Sequence, residues 1–67
     1  MEVLDRNGQL LRVGDIVRLW KLYRGEVRKS KARAFIAEIE SQRTIWVRML
    51  STGKLREYTP SMVEKEG

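Results

Sequence analysis

The chain reads as one all-β domain, a small barrel or sandwich of about five short antiparallel strands. Three observations predict this. Apolar residues alternate with polar ones over short runs, and turn residues punctuate those runs every ~8–12 positions. At 67 residues the chain is also too short for more than one core, so 1–67 is a single domain. A chain of this size buries only about 60% of the surface its unfolded form exposes, and small domains commonly compensate with disulfides or zinc. Here there is no Cys and no His. Stability must rest on apolar packing, with self-association into a homo-oligomer as a further source.

Each element follows from local chemistry. Asp5-Arg6-Asn7-Gly8 sets Asn-Gly between Val3-Leu4 and Leu10-Leu11, and Asn-Gly tolerates the positive φ of a tight turn. Gly14-Asp15 breaks the chain before Ile16-Val17-Arg18-Leu19-Trp20. That run is β-branched and aromatic, and as a strand it sets Val17 and Leu19 against Ile16, Arg18 and Trp20 on the other face. Leu22 to Ser30 shows no period of two and contains Gly25, so it reads as a long basic loop.

Ala32 to Glu40 has two readings. As a strand it sets Phe35, Ala37 and Ile39 on one face, with Ala34, Ile36 and Glu38 on the other. As a helix it stripes Phe35, Ile36 and Ile39, with Ser30 as N-cap. Its length favours the strand, since helices usually run to at least ~10 residues of clean period. Thr44 to Leu50 is the clearest strand, with Ile45, Val47 and Met49 inward and Thr44, Trp46 and Arg48 outward. Ser51-Thr52-Gly53-Lys54 turns the chain into Leu55–Tyr58, and Thr59-Pro60-Ser61 ends that strand because Pro cannot donate to a ladder. Met62-Val63-Glu64 is a last short strand, and Lys65-Glu66-Gly67 is expected to fray. The expected core is Val17, Leu19, Phe35, Ile39, Ile45, Val47 and Val63.

The pattern Gly14-Asp15-x-Val17, one longer loop, two adjacent central strands and a Pro-containing turn before a final strand together resemble the SH3-like barrels. The KOW and Tudor-like subset is most similar, as are small phage and bacterial domains that open with Asp-x-x-Gly followed by Gly-Asp-x-Val. Here those motifs are Asp5-Arg6-Asn7-Gly8 and Gly14-Asp15-Ile16-Val17. The resemblance implies an SH3-like barrel and, through its KOW members, contact with RNA. Residues 21–30 depart from the compact Gly-rich turn of KOW domains.

Enzyme chemistry is poorly supplied. Without His or Cys the common general base and thiolate nucleophile are missing. Glu38 and Glu40 share a strand face near Arg43, an arrangement that reads as a solvated salt-bridge surface. There is no Gly-rich phosphate loop and no calcium-site spacing, so a non-catalytic module without cofactor or metal is expected. No apolar run approaches the ~18 residues of a membrane span, and Met1-Glu2-Val3 lacks a signal-peptide pattern. The expected location is cytoplasmic, with no membrane partner.

Binding chemistry is better supplied. The net charge is +5, and Lys21, Arg24, Arg28, Lys29, Lys31 and Arg33, opposed only by Glu26, account for all of it. Such a cluster suits phosphate backbones. Alternation places Arg18 with Trp20, and Trp46 with Arg48, on outward faces, and interleaved aromatic and guanidinium planes are the parts of a base-stacking platform. The candidate nucleic-acid-binding residues are therefore Arg18, Trp20, Lys21, Arg24, Arg28, Lys29, Lys31, Arg33, Trp46 and Arg48, forming one continuous positive surface. Tyr23 and Tyr58 are secondary candidates. The partner is DNA or RNA without distinction. A protein-interaction module anchored by the tryptophans is the rival, and barrel closure is the purely structural role for them.

Overall fold

The alternating run at Ile16 does form a strand, and it continues further than its apolar pattern. In the computed structural model, which describes residues 1–66, the strands are β1 (Ile16–Tyr23), β2 (Glu26–Ile39), β3 (Ile45–Met49), β4 (Leu55–Tyr58) and β5 (Val63–Lys65). All pairings are antiparallel in one sheet of order β4-β3-β2-β1-β5. Pro60–Met62 forms a single 3-10 turn before β5. Among the described residues the hydrogen-bond ladder does not close between β4 and β5, so the expected closed barrel is an open five-stranded sheet. No helix among these residues is long and apolar enough to cross a membrane.

Residues 21–33 form no loop. Tyr23 pairs with Glu26 across a two-residue turn, Arg24-Gly25, whose central φ values are 51° and 80°. Positive φ at both positions is the type I′ pattern that matches strand twist. The basic segment is thus the outer half of a β1–β2 hairpin, and every side chain from Lys21 to Lys29 is exposed. Ala32–Glu40 is strand, as its length suggests, up to Ile39.

The inward face of β2 differs from expectation because β2 slips register by one residue against β3. Next to β3, Ile36 pairs with Val47 but Glu38 pairs with Trp46. Ala37 is the extra residue of a bulge, which reverses the alternation. Ala34 and Ile36 therefore point into the core, while Ile39, opposite Ile45, packs against it from beyond the bulge. Phe35 lies on the outer face, half-buried, rather than in the core. Val17, Leu19, Ile45, Val47 and Val63 are buried as expected, joined by Val3 and Leu11 from the N-terminal turn.

That turn is pinned by Asp5, the one buried charged side chain among the described residues, 6% exposed. Its Oδ1 accepts the Asn7 and Gln9 amides at 2.9 and 2.8 Å, and its Oδ2 accepts the Lys65 amide at 2.7 Å. Asp15 acts similarly: its Oδ2 accepts the Arg12 amide at 2.8 Å and pairs with the Lys65 ammonium at 3.5 Å. The two motifs Asp5-x-x-Gly8 and Gly14-Asp15 therefore both hold β5. Lys65 completes β5, and the Glu66 amide donates to Ile16 O at 2.9 Å. Of the residues expected to fray, Gly67 lies outside the described residues.

Hydrogen bonds to a charged acceptor contribute about 1.5–3 kcal/mol each, less when they share one group. Asp5→Ala should therefore cost about 2–4 kcal/mol, measured by urea unfolding. Asp5→Asn should cost less, because it keeps one acceptor and sets an amide N–H against that of Lys65. Equal stability of Asp5→Ala and the parent would contradict this role.

Candidate nucleic-acid interface

The hairpin turns outward at a second irregularity. Arg18 pairs with Arg33, but the next pair is Trp20 with Lys29, leaving Ser30, Lys31 and Ala32 opposite Leu19 alone. Ser30 Oγ donates to Leu19 O at 2.8 Å and accepts the Ala32 amide at 3.1 Å. The Arg18 guanidinium donates to Ser30 O and Lys31 O at 3.4 and 3.3 Å. It also pairs with Glu66 at 3.3 Å. Arg18 is thus a structural brace rather than a free outward cation.

Beyond this bulge the ribbon runs about 10 Å further, three residue steps at ~3.4 Å each, to the Arg24-Gly25 turn. One of its faces carries Lys21, Tyr23, Glu26 and Arg28, and the other carries Trp20, Leu22, Val27 and Lys29. Tyr23, 45% exposed, has the cationic groups of Lys21, Arg24 and Arg28 at 5.6, 5.3 and 5.6 Å from its ring centroid. A depression of about 460 Å³ opens beside it, lined by Lys21, Tyr23, Arg28, Lys29, Ser30 and Lys31.

The cations differ in how they are engaged. Arg28 pairs with Glu26 at 2.8 Å, Lys29 with Glu64 at 3.2 Å, and Arg33 with Glu66 at 3.7 Å. Lys21, Arg24 and Lys31 have no carboxylate in ion-pair range among the described residues. The Arg28–Glu26 pair is exposed on both sides, and such pairs contribute only about 0–1 kcal/mol, so a phosphate can displace the glutamate easily.

The tryptophans do not form the expected platform. Trp20 donates its indole N–H to Glu64 Oε1 at 3.2 Å and is covered by the Arg6 guanidinium 3.7 Å from its ring. Trp46, half-buried, donates to Glu40 Oε1 at 3.0 Å. Trp20 pairs with Lys29 and Trp46 with Glu38, nine positions further along β2, which without the three surplus bulge residues is roughly 20 Å of ladder at ~3.3 Å per residue. Arg48 braces the β3–β4 turn through Gly53 O at 2.7 Å. The expected continuous surface is therefore divided. Lys21, Arg24, Arg28, Lys29 and Lys31 gather on the arm, whereas Trp46 stands at the far end of β2 and Arg48, opposite Phe35, lies on the sheet between them. Tyr23 is the aromatic that the arm brings to the cations, a placement signalled in the sequence only by its position between Lys21 and Arg24.

No protein-family model, curated protein or solved structure matches this chain.

The Trp20 indole N–H holds the Glu64 carboxyl below its ordinary range, aided by the Lys29 ammonium and Asn7 and opposed by partial desolvation. Because the folded state favours the carboxylate, this contribution is complete above the ordinary glutamate value of about 4.3 and is lost as pH falls through the lowered one. In a Trp46→Phe background, Trp20 fluorescence should shift over that acidic window, and Glu64→Gln should remove the shift. Identical titrations of the two proteins would contradict the assignment.

Proposed function

We propose that this protein is a non-catalytic binding module of the SH3-like kind that contacts nucleic acid through the β1–β2 arm. The SH3-like reading is supported by the meander β1–β4, the single 3-10 turn and the return of β5 to β1. The observation that carries the functional reading is the exposed ribbon whose Lys21, Arg24 and Lys31 are unmatched by acid among the described residues. Phosphates supply the missing counter-charge, and releasing their condensed counterions drives association. The site is positioned by strands rather than by a loose loop, so less ordering entropy opposes binding.

A protein partner is the second reading, favoured by one observation. Leu22 and Val27 pair across the ribbon on the face away from Tyr23 and are 67% and 46% exposed. An apolar pair at an unpaired strand edge also suits a protein contact.

Fluorescence anisotropy with labelled single- and double-stranded oligonucleotides at several salt concentrations separates the two. Affinity should fall steeply with salt. The combined variant Lys21→Gln, Arg24→Asn, Lys31→Gln should weaken binding to all sequences alike. It should flatten the log–log salt slope by up to about two units on single strands and just under about three on duplex. Asn at position 24 preserves the turn, so the change reports charge. Absence of nucleic-acid affinity even at low salt would leave the arm to a protein partner.

A further inference from the structure

We infer that the depression beside Tyr23 is a binding site for single-stranded nucleic acid, in which one base stacks on the Tyr23 ring while Lys21, Arg28 and Lys31 hold the flanking phosphates. This rests on the reading of the arm as a nucleic-acid interface and specifies its ligand.

Three observations lead there. The first is which aromatic ring is open. Trp20 has a guanidinium 3.7 Å from its ring and its N–H occupied, whereas the cations around Tyr23 stand at 5.3 to 5.6 Å and its side chain is exposed. A base can take the place of a mobile Lys or Arg over that ring and leave the displaced cation to the adjoining phosphate. The second is shape. A shallow depression of about 460 Å³ adjoins the ring, with Ser30 and Lys31 along its wall.

The third is the one-sidedness of the charge. Lys21, Arg28 and Tyr23 share a face with the depression, where the one acid, Glu26, is paired with Arg28, while the opposite face presents Trp20, Leu22, Val27 and a Lys29 engaged by Glu64. A duplex can lay its phosphates along such a row as a single strand can, so the ring at its centre decides between them. Duplex bases are stacked already and offer no free face to a tyrosine. A single strand laid along one face meets both conditions: its phosphates run beside a row of cations, and its unstacked bases accept an aromatic platform.

The test is the affinity of single-stranded and duplex oligonucleotides, of both DNA and RNA, for variants of Tyr23 in the full chain. Tyr23→Phe keeps the π face and should bind within about twofold of the parent. Tyr23→Ala should lose roughly 5- to 150-fold on single strands, the equivalent of one stacked base. Its salt slope and duplex affinity should be unchanged. Tyr23→Leu, which keeps bulk without a π face, should behave as Tyr23→Ala does and so exclude simple loosening of the arm. If Tyr23→Leu binds single strands like the parent, or if single-strand and duplex affinities fall together, the stacking site is wrong. The charge variant would then still report on the arm itself. No affinity for any oligonucleotide at low salt would overturn both readings.

Discussion

A hydroxyl, a guanidinium and three carbonyls meet where β2 carries three residues past Leu19 of β1. Two of those residues are surplus to the ladder, and their backbone polar groups have no cross-strand partner. Ser30 Oγ, bonded to Leu19 O and the Ala32 amide, and Arg18, bonded to Ser30 O and Lys31 O, satisfy them. Bulges of this kind bend a strand and raise its twist. On the core side of this one, β2 presents Ala34 and Ile36 to the interior. On the far side the same strand is solvated on both faces. One strand of fourteen residues thus serves as both core element and projecting arm, and the bulge decides where one becomes the other.

Charge is distributed around the same point. Glu64 and Glu66, on and just beyond β5, reach Lys29, Arg18 and Arg33 at the root of the arm. The two motifs centred on Asp5 and Asp15 hold β5 in place to do so. The acidic end of the chain therefore neutralises much of the root, and the unmatched cations are Lys31 in the bulge and Lys21 and Arg24 further out. A net +5 becomes a localised field at the end of a ribbon, which steers polyanions more effectively than the same charge spread over a sphere.

Much of the fold was legible because half-buried strands alternate. Val17, Leu19, Ile45 and Val47 follow the period of two, and β4 falls at Leu55–Tyr58, where Gly53 and Pro60 bound it. Phe35 was misplaced because a one-residue bulge at Ala37 inverts the face of everything beyond it, and period alone carries no sign of a bulge. The arm has the sequence pattern of a loop for two reasons. A ribbon wet on both faces has no apolar alternation to detect, and its turn places Arg24, not Asn or Asp, at positive φ before Gly25. The basic residues are adjacent in sequence, but their separation from Trp46 and the covering of Trp20 by Arg6 are tertiary facts. No local pattern encodes an arginine from the N-terminal turn lying across a tryptophan in β1.

An isolated two-stranded ribbon is marginally stable in water, so the arm's order is the most exposed part of the account. Amide hydrogen exchange followed by NMR tests it directly. Cross-strand amides between Trp20 and Lys29 should be protected by about tenfold or more over an unstructured chain, yet less than those of Val17 and Ile36. Substituting Ser30 by Ala should lower that protection while the core amides change little. Exchange of the whole 21–29 segment at unstructured rates would mean that the basic residues form a loose loop, and the strand-built interface would be contradicted.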